Sequence, residues 1–160
     1  MESLAGMTIG AFLEGISSTA PSPGAGSAAG AALATGIACA RKAVAMTLRH
    51  HPDEAYLVGL GAHLAGLAEQ ALAGAEADAT IFPTFIHARG EARADALESL
   101  IAVGENMVAI GDEARGLLLG VRTEIYPTMA GDVSAALALI AAARTIHVAC
   151  VAEARATLNP

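Results

Sequence analysis

SSTAPSPGAGSAAGAALATGIACARKAVAMTL, residues 17–48, holds the two signals that decide the fold: a loop that breaks the backbone and a long stretch of small, helix-favouring residues. Pro21 and Pro23 withhold backbone donors and Gly24 and Gly26 allow tight turning, so nothing regular runs through Pro21–Gly26. From Ser27 the chain reads as an apolar helix continuing to about Arg49. Forty of the 160 residues are alanine, 17 are glycine and only 3% are aromatic, which demands a core of small side chains packed at close range. Alanine and leucine favour helix, and no stretch of four to eight residues alternates cleanly at period two, so the whole chain reads as all-α.

Outward from that stretch the expected elements follow in order. Thr8 caps a first helix over Ile9–Ser17 with Ile9, Phe12, Leu13 and Ile16 on one face. His50-His51-Pro52-Asp53 breaks the chain, and Asp53 caps a helix from Glu54 to about Ile81, which Pro83 ends or kinks near Phe82. A further long or interrupted helix spans about Glu91 to Glu124, Pro127 stops it, and a last helix runs from about Asp132 to Leu158. No linker, low-complexity tract or repeat divides these elements. The expectation is therefore one domain, residues 1–160, a bundle of five to six helices with long Ala/Gly-rich antiparallel members.

Composition also bounds function. With 54% hydrophobic and 16% charged residues the chain is too apolar for disorder. No uninterrupted apolar run reaches the roughly 18 residues of a membrane span, because Arg41-Lys42 ends one and Asp132 and Arg144 bracket another. Glu2 gives the N-terminus an acid rather than a basic region, so no secretory signal is read and a cytoplasmic location is expected. A net charge of −7 argues against nucleic acid as a partner. Cys39 and Cys150 lie far apart and read as buried thiols. So apolar a surface predicts a homodimer or higher homo-oligomer.

Chemistry-bearing residues concentrate at a few places. The loop with Pro23, Gly24, Gly26 and Ser27 can cradle an anion at the start of a helix, or it is a turn capped by Ser27, with Gly26 and Gly30 allowing a close helix crossing. Arg41, Lys42, Arg49, His50 and His51 hold three of the nine Lys and Arg and two of the five His. They either offset the dipole of a helix C-terminus or receive a polyanionic tail. No Glu is followed three residues later by His, HExxH is absent, and His63, His87 and His147 stand singly, so no metal is expected; His87 and Glu91 read as a surface ion pair. Neither GxSxG nor a cysteine beside a histidine supports nucleophilic catalysis.

The 17–48 string resembles the PTPGGGS-plus-alanine-helix signature of the cyclodeaminase/cyclohydrolase family, the all-α domain of formiminotransferase-cyclodeaminase and of bacterial methenyltetrahydrofolate cyclohydrolases. Asp78-Ala-Thr-Ile-Phe82 is similar to its D-x-x-A-F, and Gly131-Asp132-Val133-Ser134-Ala135-Ala136 to its S-D-x-G-V-A, in the same order. The resemblance implies a dimeric enzyme whose substrate is a tetrahydrofolate derivative. It implies Asp78 and Asp132 as the catalytic acids and bases, brought together from different helices. Substrate binding would fall to Pro23, Gly24, Gly26, Ser27, Arg41, Lys42, His50, His51 and Phe82, the basic group lying toward an anionic glutamate tail. Read without the family, Asp132 is a helix N-cap and Asp78 a solvated acid beside Glu76. The chain departs from the pattern where His50 and His51 stand for lysines, where Tyr126 and Thr128 stand for asparagines, and where Cys150 and Ala154 replace asparagines of the last helix. A non-catalytic or repurposed module binding a small folate-like molecule, and a purely structural helical oligomer, are the other function classes the residues allow.

Overall fold

The structure, a computed structural model, describes residues 3–158; Glu2 and the outer ends of the expected 1–160 domain lie outside the described residues. It is all-α: α1 (Ile9–Ser17), α2 (Ala25–His50), α3 (Ala55–His87), α4 (Gly90–Gly120) and α5 (Ala130–Leu158), with single 3-10 turns at Leu4–Gly6 and Pro127–Met129. The four long helices are joined by short connections and each packs antiparallel on its neighbours, in the cycle α2, α3, α4, α5 and back to α2. Exposed ion pairs bridge neighbouring helices: His63 with Glu113 between α3 and α4, and Arg144 with Asp112 and Arg155 with Glu105 between α5 and α4.

Small residues let these helices come close. A Cβ at Gly30 would stand 2.7 Å from the Cβ of Ala75 on α3, and one at Gly36 would stand 3.1 Å from the Ala136 carbonyl oxygen on α5. Glycine at these positions therefore permits near-backbone contact on both flanks of α2. Between the close-packed points, Leu33, Ile37, Leu64, Met107, Leu118 and Ile140 fill the core, each fully buried. At about 25 cal/mol per Å² of apolar area removed from water, such side chains supply the main driving force.

Boundaries differ from expectation where side-chain chemistry intervenes. Gly24, not Ser27, is the N-cap of α2, because the hydroxyl of Ser27 is engaged elsewhere. Pro83 does not end α3, which runs on to His87. Proline leaves the carbonyl four residues earlier without its helical donor. That carbonyl, of Ala79, accepts a hydrogen bond from Ser22 Oγ at 2.7 Å, so the interruption is satisfied from the loop. His87 then pairs through Nδ1 with the Pro83 carbonyl, at 2.7 Å, rather than with Glu91. α1 matches expectation, Thr8 Oγ1 accepting from the Ala11 N–H, yet none of its residues is buried.

The expectation of no membrane-length segment holds for uninterrupted runs only. With up to two charges allowed, α2 and residues 127–158 are long and apolar enough to cross a bilayer. Both are core helices of this bundle, α2 burying Ala29, Leu33, Ile37 and Val44 and α5 burying Val133, Ala136, Ile140 and Ala143.

Candidate active site

A cavity of about 370 Å³ opens where the start of α2, the end of α3, the start of α4 and the end of α5 converge. One wall is aromatic and aliphatic: Phe82 and Phe85 from α3, and Leu97, Leu100 and Val103 from α4. The two phenyl rings stand 5.8 Å apart and tilted, and the Arg93 guanidinium lies 4.2 Å from the Phe85 ring centroid, bracing that ring by a cation–π contact. The other wall is polar, formed by Asp78, His147, Cys150, Glu153 and Thr157.

Asp78 is fixed by the glycine loop. Ser27 Oγ, wholly buried, donates to Asp78 Oδ2 at 2.7 Å. A Cβ at Gly26 would overlap the Asp78 carboxylate, so the absence of a side chain there admits the carboxylate against the first turn of α2. Negative charge beside a helix N-terminus is electrostatically favourable, because the unpaired N–H groups and the macrodipole both present positive potential. The loop thus cradles the protein's own carboxylate.

His147 is 2% exposed and its Nε2 has no hydrogen-bond partner. Burial pushes its pKa below the ordinary value, with the negative charge of Asp78 opposing the shift. Burial also raises the Cys150 thiol, reinforced by Asp78 and Glu153, so that the group stays protonated. Cys39 and Cys150 are both free and half-buried rather than fully buried.

The expected site residues divide between two ends of the molecule. Asp78, Phe82 and Gly26 line the cavity, and Ser27 touches it through Asp78. Pro23 faces a separate cavity with Leu4, Met7 and Ser22, on another side of α3. Gly24 accepts the Ala28 N–H through its carbonyl as the α2 cap. Arg41, Lys42 and His50 are exposed on the far half of α2, and so is His51, its C-cap. Lys42 Nζ pairs with Asp132 Oδ1 at 3.2 Å, and the His50 ring stacks on Tyr126 with centroids 3.7 Å apart. Fifteen residues of helix separate Ser27 from Lys42, about 22 Å at 1.5 Å per residue. Within one chain, then, Asp78 and Asp132 do not meet: α3 and α5 both run antiparallel to α2 and so parallel to each other, and Asp78 lies near the end of α3 while Asp132 lies in the first turn of α5. Phe85, Glu153, Thr157 and His147 are cavity residues the sequence reading missed, and of these His147 is the one that is buried. Its signal is a polar stripe of His147, Cys150 and Thr157 at spacings of three and seven along one face of an otherwise apolar helix. Among the described residues no three His, Cys, Asp or Glu side chains are grouped to hold a metal ion.

The family model described as formiminotransferase-cyclodeaminase matches residues 8–153. Among solved structures, the fold is similar to that of formiminotetrahydrofolate cyclodeaminase from Thermotoga maritima, with a TM-score of 0.90 and 14% identity over 97% of this chain and 81% of that one. No curated protein matches the sequence.

Proposed function

Because the chain belongs to the formiminotransferase-cyclodeaminase family, we propose that it binds a tetrahydrofolate derivative with the one-carbon unit inside the cavity beside Asp78, and that it catalyses a cyclodeaminase or cyclohydrolase reaction there. The observation that carries this reading is the carboxylate of Asp78, held by Ser27 and the α2 N-terminus at the edge of an otherwise apolar, aromatic cavity. Both reactions pass through a carbon bonded to two nitrogens that bears positive charge. A fixed carboxylate beside apolar walls stabilises such charge better than one in bulk water, and needs no reorganisation to do so. The faces of Phe82 and Phe85 suit a flat heteroaromatic ring, and the tetrahydrofolate is substrate, so the proposal needs no metal.

The basic residues Arg41, Lys42, His50 and His51 are proposed as a separate surface that attracts the anionic glutamate tail from a distance. The proposal includes a homodimer or larger assembly in the cytoplasm. Ile9 is 80% and Leu13 56% exposed on α1, and Ile146 and Val148 are exposed on α5, leaving apolar side chains for a second copy to cover.

A second reading, a binding module without turnover, draws support from Cys150 and Ala154, which line the cavity and offer a protonated thiol and a methyl group where an amide would supply a donor and an acceptor. Titration with 5,10-methenyltetrahydrofolate and 5-formiminotetrahydrofolate separates the readings. Saturable binding with conversion supports the enzyme, saturable binding without conversion supports the module, and no binding rejects both.

A further inference from the structure

Among the described residues, one buried side-chain polar atom of the cavity is left without a partner. His147 is almost wholly buried, lines the cavity, and makes no hydrogen bond through Nε2. Leaving a buried imidazole nitrogen unsatisfied is destabilising, because its hydration is lost and not replaced. Core packing alone gives no return on that cost, since a leucine or methionine would fill similar space without a polar atom. An unpaired nitrogen in a cavity that also presents a fixed carboxylate is what a ligand group or a transferred proton would satisfy.

We propose that His147 is the residue that carries the proton in this cavity, taking it from the attacking nucleophile and returning it to the nitrogen that leaves, while Asp78 balances the charge on the reacting carbon. The proposal rests on the folate reading above. In hydration of a methenyl bridge, the water oxygen forms its bond to the carbon as the C=N⁺ electron pair moves to nitrogen, and the water's proton passes to the imidazole. When the C–N bond then breaks, the imidazolium protonates the departing nitrogen. The hydroxyl proton lost as the carbonyl forms is the one released to solvent. In the deaminating direction, N10 of the folate, outside the ring, attacks the carbon of the protonated formimino group on N5 and gives its own proton to the imidazole, and that proton goes to the amino group expelled as ammonia. The same two transfers serve both reactions, and one unpartnered imidazole suffices for them.

The surroundings suit a base that starts neutral. The ionisable groups around it are Asp78 from α3 and Cys150 and Glu153 from α5, while α2 contributes Ala25 and Gly26 and α4 contributes Leu97, Leu100, Val103 and Gly104. Burial lowers the imidazole pKa from its ordinary value near 6.5, so at neutral pH the side chain is free to accept a proton. Asp78 opposes that lowering and stabilises the imidazolium once it forms.

The test uses steady-state kinetics on both reduced folates with wild type, His147→Gln and His147→Ala, each checked for folding by thermal melting. Glutamine keeps a polar group of similar size but cannot take a proton at neutral pH. Both variants are expected to lose about 10²-fold or more in kcat with KM changed only a few-fold, the usual scale for an acid–base group. Added imidazole is expected to raise the rate of His147→Ala. Wild-type kcat should fall as pH drops through a single ionisation below 6.5, and that limb decides the matter if neither variant folds. His147→Gln at the wild-type rate and pH profile, a folded His147→Ala indifferent to imidazole, or a wild-type rate flat down to the carboxylate range would each overturn the role of His147 alone. A wild type that neither binds nor converts either folate overturns the folate reading and this role together.

Discussion

Ser27 and Asp78, 51 residues apart in sequence, meet in a 2.7 Å hydrogen bond that joins the first turn of α2 to the last third of α3. The bond turns a flexible-looking glycine loop into a mount for one carboxylate. Gly26 completes the mount, since any side chain there would occupy the space of the carboxylate.

Gly26→Ala should therefore push Asp78 out of its position and break its bond to Ser27 while leaving the helices intact, because the obstructed atoms are the far end of a short side chain and not backbone. Reduced-folate turnover should fall at least tenfold with far-UV circular dichroism unchanged. Wild-type turnover in this variant would mean that the position of the carboxylate does not matter.

Ser27→Ala removes a donor to a charged acceptor from a wholly buried site, and should lower stability by about 1–2 kcal/mol in urea unfolding. An unchanged midpoint would show that water replaces the hydroxyl without loss.

The part of this arrangement legible in the sequence was the part written in local signals. Prolines and glycines marked the loop, alanine marked the long helices, and the D-x-x-x-F spacing placed Asp78 and Phe82 one turn apart on the same face, where both line the cavity. Pro83 misled because the donor that rescues the α3 carbonyl, Ser22, lies in another segment. Motif order sets Asp132 beside Asp78, but Asp132 lies at the start of α5 and Asp78 near the end of α3, helices that run in the same direction, and nothing local reports that direction. His147 stands singly in an apolar run, which gives no metal-ligand spacing and so no site signal. Only the convergence of four helices makes it a cavity wall.

Asp132→Asn should accordingly leave kcat within about threefold of wild type. The Lys42–Asp132 pair is solvent-exposed on the lysine side, and pairs of that kind contribute about 0–1 kcal/mol, so thermal stability should change little. A loss of kcat comparable to that of an Asp78 variant would place Asp132 at the reacting centre, by a route a single chain does not provide.

Stability should depend on pH through His147 with a definite sign. Its folded-state pKa lies below the unfolded value near 6.5, so the unfolded chain takes up the proton first on acidification. The stabilisation is whole above 6.5 and is lost progressively as pH falls from 6.5 to the lowered folded value, below which the slope vanishes. The drop in melting temperature between pH 7 and pH 5 should be smaller in His147→Gln than in wild type. An equal drop in both would show that His147 has the same affinity for protons folded and unfolded.

Exposed Ile9 and Leu13 predict self-association. Light scattering at micromolar concentration should give a mass of twice 15.9 kDa or a higher multiple, and Leu13→Asp should reduce it if α1 is part of the contact. A wild-type monomer would contradict the proposed assembly.

The most direct measurement is turnover of 5,10-methenyltetrahydrofolate and 5-formiminotetrahydrofolate by wild type beside Asp78→Asn, which keeps the size of the side chain and removes its charge. The predicted result is saturable conversion of at least one folate by the wild type and a kcat lower by about 10²-fold or more in the variant. Conversion at the same rate by both proteins, or none by the wild type, would contradict the assignment of this cavity as a folate-processing site.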